Sequence, residues 1–323
     1  MLITRRQALR DSTFALGGTV MASQLARAET SKPSGQNAGI YRLKLGAFEI
    51  TVLSDGSFTL PSPLLAANLA EPELKEFVRA NHLGADTFRV QMNVVLVNTG
   101  DHRVLIDAGR GGSSLPTTGH LAANLQAAGI DPTAIDLVVL THAHPDHLWG
   151  AVDTKAGTMR FPNARYVISD VEWEYWSDPE RRGSVPERWR GMVPGTQSAF
   201  KLIADRTTRI KSGTEIVPGI ATVETYGHTP GHTSIQLASN GEQALVAADA
   251  ITNQLISFAH PEWKPGYDGE MDQAVLSRRR LLDQAATDRV LFLGYHLPFP
   301  GVGNVARDGA AYRWVPEHWR WDL

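Results

Sequence analysis

A layered α/β fold is predicted for this chain, and three observations predict it. After a β-rich start, apolar strand segments alternate with helical ones. Side chains able to do chemistry stand just beyond the ends of those apolar strands. With residues 1–28 set aside, about 295 residues remain, enough for one large layered domain, and no internal repeat or coiled-coil run competes with that reading.

Thr4 to Arg10 contains the pair Arg5-Arg6 of a twin-arginine signature, followed by a weakly apolar stretch from Ser12 to Ala22 and the small-x-small site Ala26-Arg27-Ala28. Residues 1–28 therefore read as a twin-arginine signal peptide, so that the mature chain starts at Glu29 and leaves through the twin-arginine export machinery for the periplasm or the medium. The short apolar stretch falls well below the ~20 residues a membrane span needs. Residues 29–40, polar from Thr30 to Asn37, read as a flexible leader, and residues 41–323 as the folded domain. Leu43 to Leu53 and Val90 to Asn98 read as extended. Leu121 to Ala128, closed by Gly129, reads as a helix with a left-handed cap leading into the strand Asp136 to Leu140. Further strands are expected at Ala244 to Ala248 and Val290 to Leu293. Between them Met271 to Ala286, opened by Asp268-Gly269, is a second helix.

The run Thr141-His142-Ala143-His144-Pro145-Asp146-His147 puts three imidazoles and a carboxylate within six positions just after an apolar strand. An extended backbone sends alternate side chains to one face, so His142 and His144 leave the strand end side by side; beyond the bend at Pro145, Asp146 and His147 can turn toward a second point. One short loop can therefore serve two neighbouring metals. A random H-x-H-x-D-H is expected on the order of once in a thousand chains of this composition.

This pattern resembles that of the metallo-β-lactamase superfamily, and further segments extend the likeness. Gly227-His228-Thr229-Pro230-Gly231-His232-Thr233 resembles the family's third motif, Asp249 follows an alanine-rich strand, and Gly294-Tyr295-His296 follows the apolar strand Val290 to Leu293. The resemblance implies a four-layer αββα sandwich with metals where strand ends converge. It also implies one metal on His142, His144 and His232, a second on Asp146, His147 and His296, and Asp249 bridging. His228 is expected to brace the loop by hydrogen bonds, and Asp107, in the turn Ile106-Asp107-Ala108-Gly109, to orient a ligand. Two divalent ions are implied; imidazole and carboxylate donors make zinc the default, with manganese or iron open.

Within the superfamily, Leu53-Ser54-Asp55-Gly56, Phe161-Pro162-Asn163-Ala164 and Phe299-Pro300-Gly301-Val302-Gly303 look like the methyl parathion hydrolase group, related to acyl-homoserine lactonases, over residues 41–316. The resemblance implies hydrolysis of a lactone or aryl ester by a hydroxide held between the metals, with phosphotriester cleavage as a side activity. Asp146 and Asp249 are the candidates for accepting the proton released on attack. An acyl-homoserine lactonase and an organophosphate hydrolase are the alternatives, followed by a glyoxalase II-like thioesterase and a noncatalytic metal-binding protein. Where the best-known lactonases carry a tyrosine three residues beyond the bridging Asp, this chain has Thr252, so no phenol is expected there. Trp149 replaces a usual glycine; it can wall the pocket or fill core. Trp176 and Phe258, and with less claim Trp173 and Trp263, are the other aromatic candidates for the pocket.

Residues 1–28 carry four Arg and one Asp, so removing them takes the formal charge from −3 to about −6. A mildly acidic chain lacks the basic footprint of a nucleic-acid binder and points to a small-molecule substrate. It contains no cysteine, so the site relies on His and Asp alone. A homodimer is compatible with the sequence, which leaves the oligomeric state open.

Overall fold

A computed structural model describes residues 37–112 and 115–321. The expected signal peptide and leader up to residue 36 lie outside the described residues.

Buried strands of Val, Ile and Leu build two seven-stranded sheets. The first runs from Ile40–Leu45 through Phe48–Pro61, Thr87–Asn98, Arg103–Ile106, Leu137–Leu140 and Arg165–Ser169 to Thr207–Ile210, and is parallel from Arg103–Ile106 onward. The second follows chain order from Glu215–Val217 to Ala311–Pro316. Its one parallel pair, Glu242–Val246 with Leu291–Leu293, is joined by the helix Met271–Asp288.

Side-chain alternation explains why these strands read as continuous apolar runs. On Arg103–Ile106, Val104 and Ile106 enter the core between the sheets, where they meet Ile235, Leu237 and Val246, while Leu105 faces the outer layer. That outer layer holds Trp176 and Phe200 from the helices Asp170–Ser177 and Val193–Ile203. Across the molecule, Leu281, Leu282 and Ala285 of the helix Met271–Asp288 cover Leu245 and Phe292. The result is the αββα sandwich.

Two strand expectations are corrected. Leu43 to Leu53 is a hairpin, with Leu45 paired to Phe48 across Gly46-Ala47. Gly46 sits at φ 58°, and a Cβ there would lie 2.2 Å from the Ser239 carbonyl oxygen, so the turn requires glycine. The strand expected to reach Ala248 stops at Val246; Ala248 takes φ 46° and starts the short turn Ala248–Ala250 that holds Asp249. The helix Leu121–Ala127 is followed by Gly129 at φ 74°, as its pattern indicates. Because Arg103–Ile106 and Leu137–Leu140 are parallel neighbours, their carboxyl ends deliver Asp107 and the 141–147 loop side by side. Glu242–Val246 and Leu291–Leu293 likewise deliver Asp249 and His296.

Candidate metal centre

Two clusters meet where these strand ends converge. His142, His144, His228 and Asp249 form one, and Asp146, His147 and His296 the other, with the candidate ligand atoms of each within 4.8 Å of one another. Asp249 faces both. Its Oδ2 lies 3.1 Å from His228 Nε2 and 3.9 Å from His142 Nε2, and its Oδ1 lies 3.0 Å from His147 Nε2 and 3.1 Å from His296 Nε2. Asp146 Oδ2 stands 3.6 Å from His296 Nε2 and 3.7 Å from His147 Nε2.

Protein acceptors hold the outward nitrogens, turning the inward ones toward the centre. His147 Nδ1 donates to Asp107 Oδ2 at 2.7 Å, His228 Nδ1 to Asp268 Oδ1 at 2.8 Å, and His296 Nδ1 to the Gln91 carbonyl at 2.6 Å. Asp107 also accepts from the backbone N–H and hydroxyl of Thr141, which fixes the start of the 141–147 loop. Glu172, fully buried, ties that loop to the third motif: it accepts from the N–H of Ala143 at 3.0 Å, the Thr229 hydroxyl at 2.7 Å and the N–H of Gly231 at 3.0 Å. A Cβ on residue 231 would lie 2.2 Å from the Glu172 nitrogen, so only glycine lets the two segments close.

The two histidines of the third motif stand in different surroundings, and each has both ring nitrogens engaged by the protein. His228 points Nε2 into the first cluster, 2.9 Å from His144 Nδ1. His232 spends both nitrogens on the protein: Nε2 accepts the Asp249 backbone N–H at 3.0 Å, and Nδ1 meets the Thr225 carbonyl at 3.0 Å. His232 thus meets the turn that presents Asp249, with its ring 5.1 Å from that of His142.

Electrostatics divide the imidazoles. Burial holds His142 and His144 well below the ordinary imidazole range and pushes His232 down to about 3. Burial acts the same way on His147 and His228, but neighbouring carboxylates outweigh it. Asp249, Asp107 and Asp146 lift His147 well above its ordinary value, and Asp249 with Asp268 lifts His228 to about 9. Burial alone would raise Asp249; His296, His147, His228 and His142 hold it well below the carboxylate range.

The cluster fits metal. Among the described residues, Nε2 of His142 and His144 in the first cluster, Nε2 of His147 in the second and Oδ1 of Asp249 are buried without a hydrogen bond, a costly arrangement that bound cations would relieve. An all-imidazole and carboxylate donor set suits borderline divalent ions.

A cavity of about 360 Å³ opens onto both clusters. Trp149 lines it, as expected, and Arg110 covers its ring at 5.7 Å. Trp176 and Phe258 do not. Trp176 is fully buried and its indole donates to Glu172 at 2.7 Å; Phe258 packs on Trp314 and Phe292 in the second sheet's outer core. Trp173 stacks on Phe200, and Trp263 on His260. Trp189, 5.1 Å from His144, takes the place expected of Trp176. The expectation that no phenol reaches Thr252 is also corrected: Tyr267 lines the cavity, and its hydroxyl lies 2.5 Å from Thr252 Oγ1. Neither Tyr267, Glu172 nor Asp268 sits in a motif, so nothing in their spacing announces them.

The sequence pattern described as the Metallo-beta-lactamase superfamily matches residues 87–296, a span that holds both clusters and ends on His296. The chain belongs to the metallo-beta-lactamase superfamily. Among solved superfamily structures, it is similar to AidC, described as a dizinc quorum-quenching lactonase in complex with a homoserine product, with a TM-score of 0.81 and 30% identity over 87% of this chain and 98% of AidC. The hydrolase AbOPH of the same superfamily is equally similar, with a TM-score of 0.81 and 30% identity, covering 88% of this chain and all (100%) of AbOPH. The N-acyl homoserine lactonase AttM of Azorhizobium caulinodans is 30% identical over 142 residues, 40% of this chain and 47% of AttM. Matches to curated relatives span between 45% and 62% of those proteins' own lengths.

Proposed function

We propose that this protein is a dinuclear, zinc-loaded hydrolase that opens lactones, with aryl esters as further substrates and phosphotriesters as a side activity. The observation that carries the reading is Asp249, whose carboxylate lies within hydrogen-bond distance of imidazoles of both clusters beside a largely apolar cavity. His142, His144 and His228 would hold one ion and Asp146, His147 and His296 the other, with Asp249 shared. When bound, a pair of divalent ions supplies Lewis acidity and a water whose pKa approaches neutrality.

The remaining steps belong to the chain. Ring opening consumes one water, breaks the acyl C–O bond and yields a hydroxy acid. Tyr267 is positioned to donate a hydrogen bond to a carbonyl or leaving oxygen; burial pushes its phenol above the ordinary range, so it stays protonated. Asp249 and Asp146, held among imidazoles, are positioned to accept the released proton. Phe58, Leu60, Val90 and Met192 exclude water around the bound acyl or aryl group. The Tyr267 phenol, together with the likeness to AttM and AidC, gives N-acyl homoserine lactones a stronger claim as substrates than Thr252 alone would allow. Export by the twin-arginine route to the periplasm, read from Arg5-Arg6, belongs to the same proposal.

The test is metal analysis of purified protein with a panel of hexanoyl-homoserine lactone, dihydrocoumarin, a nitrophenyl ester and methyl parathion. Two metals per chain and lactone hydrolysis abolished by chelation and restored by zinc are expected. Full activity with one tightly bound metal, or two metals without hydrolysis of any lactone, would overturn the reading.

A further inference from the structure

Two guanidiniums border the cavity, and among the described residues neither forms an ion pair with a carboxylate. Arg110 lies over Phe58, 5.8 Å from the ring centroid, and over Trp149; Phe58 in turn packs edge-on against His296 at 6.4 Å. Arg188 lies over Trp189, 5.5 Å from its centroid, and Trp189 packs against His144. Each arginine is therefore one aromatic ring away from a histidine of a different cluster, and both line the same cavity.

The nearby carboxylates are already engaged. Asp55 accepts from the backbone N–H groups of Arg110 and Leu121, both at 2.8 Å, which fixes the Arg110 backbone and leaves its side chain aside. Asp268 is shared between His228 and Arg278, and Arg188 donates to the Asp268 carbonyl oxygen at 2.7 Å and feels the Asp268 charge without pairing with it. Nε of Arg110 is buried with no hydrogen-bond partner among the described residues. An unpaired, partly buried guanidinium in an apolar wall is a local cost, and such costs mark functional positions when a ligand removes them. A neutral lactone would leave this one in place. A guanidinium matches carboxylate and phosphate oxygens by geometry as well as charge.

We propose that the substrate opened at this centre carries an anionic group, carboxylate or phosphate, remote from the scissile bond, and that Arg110 binds it with Arg188 as the second contact. This rests on the hydrolase reading above, and within its lactones it favours anionic ones over the uncharged N-acyl homoserine lactones.

The test uses zinc-loaded protein and matched lactones: dihydrocoumarin, a ring-carboxylated dihydrocoumarin and a ring-phosphorylated one. kcat/KM is measured for wild type, Arg110→Gln, Arg110→Lys and Arg188→Gln, with calorimetric binding of benzoate and phenyl phosphate alongside. In wild type an anionic member should exceed the neutral one about tenfold or more, chiefly through KM, and the advantage should shrink with salt. The ratio should fall toward one in Arg110→Gln and partly return in Arg110→Lys. Which anionic member gains more distinguishes carboxylate from phosphate. Equal turnover of neutral and anionic members by wild type, or an equal loss for all members in Arg110→Gln, would overturn the proposal and leave Arg110 as a cover over Phe58 and Trp149. If no lactone is hydrolysed, the hydrolase reading fails instead; weaker binding of phenyl phosphate or benzoate to Arg110→Gln than to wild type would then still support the anion site, and equal binding would sink it.

Discussion

Asp268→Asn isolates a carboxylate on which both the fold and the first cluster depend. Asp268 is fully buried; Oδ1 accepts from His228 Nδ1 at 2.8 Å, and Oδ2 accepts from Arg278 Nη2 at 3.0 Å. The amide is isosteric but keeps one acceptor oxygen only, so its NH₂ must face either an imidazole N–H or a guanidinium. Breaking a buried ion pair by removing one partner costs ~3–5 kcal/mol. Arg278 keeps the carbonyls of Ala250, Pro261 and Trp263, which places the expected loss at the lower end, about 3 kcal/mol, or roughly 6–10 °C in Tm for a domain of this size. His228 meanwhile loses the acceptor that fixes its orientation, which should weaken metal binding ~10- to 100-fold. Urea unfolding in chelator separates the first effect from the second, and competition with a chromophoric chelator measures the second. The double variant Asp268→Asn, Arg278→Met should recover part of the stability, because the unpaired charge is then gone, but none of the metal affinity. Stability within 0.5 kcal/mol of wild type together with unchanged metal affinity would show that Asp268 supports neither Arg278 nor His228.

Three further outcomes are expected. His228→Ala should lower bound metal from two toward one, whereas His232→Ala should keep both metals and lose ~1–3 kcal/mol of stability by orphaning the Asp249 amide; metal analysis showing the reverse would restore the opposite assignment. Tyr267→Phe should reduce kcat/KM for hexanoyl-homoserine lactone by ~10²-fold or more, and less for a nitrophenyl ester whose leaving group needs no help; equal losses on both would make the phenol a support for Thr252 alone. Replacing Arg5-Arg6 with Lys-Lys should leave the precursor in the cytoplasm, seen by cell fractionation, and unchanged export would show the pair to be incidental.

The parts of the site that were legible in the sequence are those whose direction the local chain decides. His142 and His144 project together because they leave the end of a parallel strand, and Asp249 and His296 follow strand ends in the second sheet. The layers were legible because strands buried on both faces carry uninterrupted Val, Ile and Leu. The hairpin at Gly46 was hidden by the same property: Leu45 and Phe48 continue the apolar run on either side of a two-residue turn.

What the sequence left undecided depends on partners brought from elsewhere in the chain. His228 and His232 occupy one irregular loop in which no helical or strand period says which imidazole turns inward. In the fold Asp268 takes the outward nitrogen of His228, and the Asp249 backbone N–H donates to Nε2 of His232. Trp176 read as a pocket wall through the likeness to the methyl parathion hydrolase group, yet Glu172 captures its indole while bracing the ligand loop. The Thr252 position lacked a phenol in sequence and gains one in space, because residues 261–268 fold back and bring Tyr267 to it. In each case the deciding atom is a buried carboxylate, amide or hydroxyl whose own neighbours are fixed by the sandwich. The precise hand of the centre is therefore a property of the packed layers, while its list of donors is a property of the strand ends.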